Sequence, residues 1–152
     1  MSILNELFQN KVLAVAATSW LVAGVLKVII EIIVLKKFDP KRIFGAGGMP
    51  SSHTATVVAL VISTGYYVGL ASASFAIAFI LAIIVIHDAM GVRRETGIQA
   101  KVLNKMVFDS DLFDDLNLEK RLKEYIGHSP SQVLIGGIVG VIVSILMINV
   151  FV

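Results

Sequence analysis

From Thr54 to Ile86 the chain carries no charged side chain, and from Val133 to Val152 it again carries none. In hydrocarbon a segment must satisfy its own backbone polar groups, which a helix does. A helix needs about 20 apolar residues to cross. The composition agrees, since 57% of the residues are hydrophobic and only 16% are charged, far from the make-up of an ordinary soluble domain. The chain is expected to form one membrane-embedded domain over residues 1–152.

Four segments suit spans, at about residues 12–35, 53–68, 72–88 and 133–152. The second and third come from dividing the long uncharged run at Gly69 and the small polar residues around it. Each is close to the lower limit of about 17 residues, which leaves open whether both cross fully. Lys27 and Glu31 interrupt the first span four residues apart, and a pair inside the membrane is expected to face the bundle rather than lipid. The start of the chain has no cleavable-signal pattern and is expected to be retained. Loops 36–50 and 91–131 then share one side, and they hold eleven of the thirteen Lys and Arg. By the positive-inside tendency that side faces the cytoplasm. Within the second loop Val92, Thr96, Gln99, Leu103 and Met106 recur at helical spacing among basic residues, the pattern of an amphipathic helix at the interface. The acidic stretch from Asp109 to Asp115 lacks the glycine and the final glutamate of a calcium loop and is expected to be a solvated linker. The predicted fold class is therefore all-α: an integral membrane helical bundle of about four transmembrane helices plus an interfacial amphipathic helix.

The segment Gly47-Gly48-Met49-Pro50-Ser51-Ser52-His53 lies where the charged loop meets the uncharged run. A Gly-Gly turn lets backbone approach a ligand closely, and Pro50 suits the first turn of a helix. The helix start, with Ser51 and Ser52 beside it, is a candidate anion site, and His53 would stand next to the anion. The plainer alternative is a Gly/Pro loop entering a membrane helix with an interfacial histidine.

A second segment, Gly127-His128-Ser129-Pro130-Ser131-Gln132-Val133, again places a histidine before an uncharged helix, and Gly136, Gly137 and Gly140 follow on it. Glycines there would let a neighbouring helix come close. The pair resembles the type-2 phosphatidic acid phosphatase superfamily, whose signature comprises K-x6-R-P, P-S-G-H and S-R-x5-H-x3-D segments. Pro50-Ser51-Ser52-His53 matches the second with Ser52 in place of Gly, and His128 to Gln132 has the H-x3-D spacing with Gln132 in place of Asp. With Asp88-Ala89-Met90-Gly91-Val92-Arg93-Arg94 and Gln99-Ala100-x-x-Leu103-Asn104, the chain looks like the divergent branch of that superfamily from Lys27 to Gly140.

The resemblance implies that His128 attacks phosphorus to form a phosphohistidine and that His53 protonates the departing alcohol and later activates water. It implies no metal and no cofactor. Gln132 takes the place of the aspartate that orients the nucleophile, and an amide orients without supplying charge. Asp88 is a second candidate for that role, with a helix-end carboxylate paired to Arg93 or Arg94 as its alternative. Candidate phosphate ligands are Ser51 and Ser52 at the helix start, Lys27, which resembles the divergent branch's lysine, Arg42, and above all Arg93 and Arg94, because a guanidinium binds phosphate through two parallel bonds. The family's Arg position, six before the nucleophile, is Leu122 here, flanked by Arg121 and Lys123. His87 is expected to be an interfacial histidine.

Cysteine is absent, so disulfides and thiolate metal sites are excluded, and His53, His87 and His128 lack ligand spacing. The expected partners are the bilayer and a phosphorylated lipid or prenyl diphosphate, with no nucleic acid and an oligomer permitted. The expected location is the plasma membrane of a prokaryote, with the site facing the cytoplasm. The alternative function is a non-catalytic protein that binds, senses or moves a phosphorylated lipid.

Overall fold

A computed structural model describes residues 3–36, 48–108, 122 and 127–151, and among them the regular structure is helical throughout. The order is α1 (Ile3–Gln9), α2 (Lys11–Leu35), α3 (Ser52–Tyr67), α4 (Ala73–Met90), α5 (Val92–Phe108) and α6 (Pro130–Phe151). Local chemistry marks the boundaries. Asn10 caps α2 by accepting from the Leu13 N–H at 3.0 Å, and Lys36 closes it in the left-handed region at φ 52°. Ser51 caps α3, and Ser72 caps α4 by accepting from the Phe75 N–H at 3.1 Å. Between those two helices Gly69, at φ 101°, makes the expected tight turn.

Side chains are distributed in the sense that a bilayer demands. Large apolar residues point outward, as with Ile77 at 70% and Leu134 at 66% exposure, while the interior holds Ala16, Ser19, Ala23, Ala55, Ala59, Ser63 and Ser144. Small residues let helix backbones approach where no hydrophobic force drives association. The buried hydroxyls bond to helix carbonyls, Ser19 to Ala55 at 3.0 Å and Ser144 to Gly140 at 2.7 Å. Three helical stretches, Lys11–Val34, Ala73–Phe108 and Pro130–Phe151, are long and apolar enough to cross a membrane. The chain is an all-α membrane bundle.

At 16 residues, α3 is shorter than those three. It rises about 24 Å, against a hydrocarbon core of about 30 Å. Its neighbours explain why the deficit is tolerated. It packs against α2, α4 and α6, and it buries Ser52, Thr54, Ala55, Val57, Ala59, Ser63 and Thr64 among them. The buried face is covered by protein, while His53 at its start and Tyr66 at its end are exposed.

One end of the bundle carries the start of α3, the end of α4 and the start of α6. At the other, Lys11 Nζ donates to the Phe151 carbonyl at 2.9 Å and lies 5.5 Å from the Tyr67 ring centre. A cation there suits both the negative end of α6 and the face of the ring. The amphipathic helix is present as α5, but the stripe Val92, Thr96, Gln99, Leu103 and Met106 is exposed, and Gly97, Ala100 and Asn104 form its buried side.

Candidate active site

The two histidine motifs meet through their backbones. The Ser51 N–H donates to the Gln132 carbonyl at 3.1 Å, and the His128 N–H donates to the Ala89 carbonyl at 3.0 Å. These bonds pin the first turn of α6 to the start of α3 and the segment before it to the end of α4. Close approach is made possible by α6 itself: a Cβ at Gly136 would lie 2.5 Å from the Ser51 carbonyl oxygen, and one at Gly140 2.6 Å from that of Ala55. Both contacts are with rigid backbone, so the expected glycine contact is real at Gly136 and Gly140. At Gly137 nothing lies within 4 Å.

Pro50 is not in the first turn of α3. The helix begins at Ser52 with Ser51 as its cap, so Pro50 lies one residue before the cap. Ser51 Oγ accepts from the Thr54 N–H at 3.3 Å and from Thr54 Oγ1 at 3.0 Å, which satisfies one of the donors that an anion would otherwise use. The rule for proline applies instead to α6, which opens on Pro130.

Gln132 is the best-connected side chain of the second motif. Its Oε1 accepts from the Ser129 N–H at 3.0 Å, while Ser129 Oγ accepts from the Gln132 N–H at 3.4 Å. This is a capping box, with serine and glutamine three residues apart. The same Oε1 lies 3.2 Å from His128 Nδ1. Since the Ser129 N–H can only donate, the atom facing it is the amide oxygen, and that oxygen can only accept from His128. The bonding network thus assigns a ring proton to Nδ1, and in the neutral ring the lone pair is then on Nε2. His128 is buried at 5% exposure, so its ring is held by packing as well.

The remaining candidates fall into three groups. Lys27, 1% exposed, projects from α2 toward the first motif: a Cβ on Gly48 would lie 3.2 Å from its Cγ and Cδ and 3.7 Å from Glu31 Oε1. Gly48 has φ 83°, so any side chain there would be strained as well as crowded. Ser51 and Ser52 are buried in the same place, whereas His53 is exposed on the first turn of α3. Asp88 is half-buried and precedes the carbonyl that anchors His128, and His87 is exposed one residue earlier. Arg94 is exposed at the start of α5, with its N–H bonded to the Gly91 carbonyl at 3.0 Å. The Arg93 side chain, together with Arg42, Arg121, Lys123 and the acidic stretch from Asp109, lies outside the described residues. Among the described residues no three His, Asp or Glu side chains converge as metal ligands would.

One residue that carries the resemblance, but is given no role by it, contributes. Asn104, 2% exposed, donates from Nδ2 to the Leu122 carbonyl at 2.8 Å and accepts at Oδ1 from the Leu122 N–H at 2.7 Å. A primary amide here reproduces the two-bond pairing of a neighbouring backbone. It ties the chain to α5 shortly before His128. The sequence hint was an asparagine on a buried helix face, but its partner is 18 residues away.

A membrane helical bundle with two histidine motifs joined at one end defines a class, and comparison with known proteins agrees. Residues 8–143 match the Divergent PAP2 family, and the chain belongs to that family. It is therefore a phosphatase-related membrane protein. It is 38% identical to the uncharacterized membrane protein YuiD of Bacillus subtilis (strain 168), over 93% of this chain and 96% of that one. No solved structure matches it.

Proposed function

We propose that the chain is a membrane phosphohydrolase that removes phosphate from a lipid phosphate or a prenyl diphosphate through a phosphohistidine on His128. The observation carrying this reading is the bifurcated acceptor Gln132 Oε1, which fixes His128 in the tautomer that a nucleophile needs. In the first step Nε2 forms a bond to phosphorus, the bond from phosphorus to the lipid oxygen breaks, and His53 delivers a proton to that oxygen. In the second, His53 takes a proton from water, the water oxygen attacks phosphorus, and the P–N bond breaks to give phosphate and neutral His128. Lys27, Ser51 and Ser52 stand on the side of the first motif, where they can neutralise and bind phosphoryl oxygens. Arg42, Arg93 and Arg94 are further candidates, and exposed His53 is accessible to a headgroup arriving at the membrane face.

In this reading α2, α3, α4 and α6 all cross. That places the α2–α3 and α4–α6 connections, with their cations, on the cytoplasmic side of a prokaryotic plasma membrane. The exposed apolar stripe of α5 lies in the headgroup region. The test is phosphate release from a panel of lipid phosphates and prenyl diphosphates by purified protein, with acid-labile phosphate trapped on the chain. A folded protein that releases none and traps none overturns the proposal.

The second reading is a protein that binds or moves a phosphorylated lipid without hydrolysing it. Gln132 favours it, because an amide does not stabilise the imidazolium electrostatically as a carboxylate does. Saturable binding of lipid phosphate by a chain with no turnover would select it.

A further inference from the structure

Gly137 has no part in helix packing, in contrast to Gly136 and Gly140. Instead it lines a groove of about 470 Å³ between α3, α4 and α6. Thr54 is the single polar residue of the lining, and Val58, Ile86, Leu134 and Val141 are among the rest. The groove begins at Thr54 and Val133, the residues that follow His53 and Gln132, and continues along α6 to Ile142. That length of helix rises about 14 Å, roughly half of the hydrocarbon core and so the depth of one leaflet. Its outer wall opens toward lipid, with Leu134 66% and Ile142 51% exposed.

We propose that this groove holds one hydrocarbon chain of the phosphorylated lipid whose phosphate lies at His53 and His128, and that Gly137 keeps the path of that chain open. The proposal rests on the phosphohydrolase reading only for where the headgroup sits. The substrate class becomes a lipid whose phosphate is carried at the end of a chain extending about one leaflet into the bilayer. A chain leaving lipid for an apolar groove gains no hydrophobic energy, so the selection is one of shape and contact.

The probe is a long-chain alkyl phosphate with a diazirine near its terminal methyl, photolysed with the full chain in liposomes and mapped by mass spectrometry. Labels should concentrate at the deep end of the groove, on Val141 and Ile142, and not at Leu134 beside the headgroup. They should be competed by unlabelled alkyl phosphate of the same length. Filling the groove with Gly137→Phe should lower the groove labels by roughly tenfold or more, the order imposed by a misfitting group in an apolar pocket. If that variant does not fold, Gly137→Leu serves in its place. Equal labelling of the outward face of α4 at Ile77, Ile80 and Ile84 would overturn the proposal, as would labelling indifferent to the residue at 137. A dimer that dissociates in Gly137→Phe would assign the groove to a second copy of the chain and also overturn it. Labelling needs no turnover. Groove labels without phosphate release therefore sink only the hydrolase reading, and phosphate release with no dependence on residue 137 or chain length sinks only the groove.

Discussion

The backbone N–H of Ser51 donates to the carbonyl of Gln132, and Gly136 lies against the carbonyl of Ser51. A helix cap on α3 and the first turn of α6 are thereby in backbone contact, with no side chain between them. Gly136→Ala should disrupt this contact, because its Cβ would meet the Ser51 oxygen at 2.5 Å. Overpacking of this kind costs about 1–3 kcal/mol. Thermal unfolding in detergent should show a clear loss for Gly136→Ala and Gly140→Ala, and little change for Gly137→Ala, whose Cβ meets nothing within 4 Å. Equal effects at all three positions would contradict the helix contact.

His128→Ala should abolish phosphate release and trapping of acid-labile phosphate, while circular dichroism remains that of the native bundle. Full activity in this variant would rule out the phosphohistidine mechanism.

Replacements at Gln132 separate its two roles. Gln132→Ala removes both the reciprocal cap and the acceptor for His128, so stability should fall by about 1 kcal/mol, as for a lost cap. Activity should fall by about a hundredfold or more, by analogy with losing an orienting carboxylate. Gln132→Glu keeps the reach of the capping box and adds charge, so turnover should rise. A nearby carboxylate favours the imidazolium and raises the His128 pKa. The nucleophile is the neutral ring, populated above that pKa, so the rising limb of the pH–kcat/KM profile should move to higher pH. Gln132→Asp, one methylene shorter, should not match it. Asp88→Asn should have a small effect; a hundredfold loss there would transfer the orienting role to Asp88.

Asn104→Leu should strand the N–H and carbonyl of Leu122 that the amide now pairs. Leu122 is half exposed, so water takes up part of the lost pairing and the cost should be about 1 kcal/mol. Hydrogen exchange at the Leu122 amide should accelerate, and kcat should fall more than KM rises, because the change disturbs the path into His128 and not a substrate contact.

For the topology, a cysteine at Ser72, in the turn between α3 and α4, should react with an impermeant thiol reagent in intact cells. One at Ser110 should be shielded. The reverse pattern would invert the proposed orientation.

Hydropathy made the helices and the membrane class legible, because the absence of charge from Thr54 to Ile86 and from Val133 to Val152 leaves a chain few other folds. Glycine spacing on α6 pointed to close helix contact without saying which glycines made it. The displacement of Pro50 from the first turn was legible in principle, since Pro50 could open the helix only with Met49 as cap, whereas Ser51 is a far better cap and leaves Pro50 outside. The capping box at Ser129 and Gln132 was legible in principle, because its residues are local. Asn104 was not: its bonds are to a distant backbone, and periodicity carries no information about such a partner. On α5, apolar spacing marked the exposed side, while the buried side is built of Gly97, Ala100 and Asn104, which an apolar-residue count overlooks.

The enclosure of α3 also governs how the bundle is assembled. Its flanks are supplied by α2, made before it, and by α4 and α6, made after it. A short helix with buried serine and threonine can pack first against α2, and its surroundings are complete only when α6 arrives. The carbonyl that receives the Ser51 N–H, and the ring of His128 itself, come with that final helix. The site is therefore incomplete until the last helix docks.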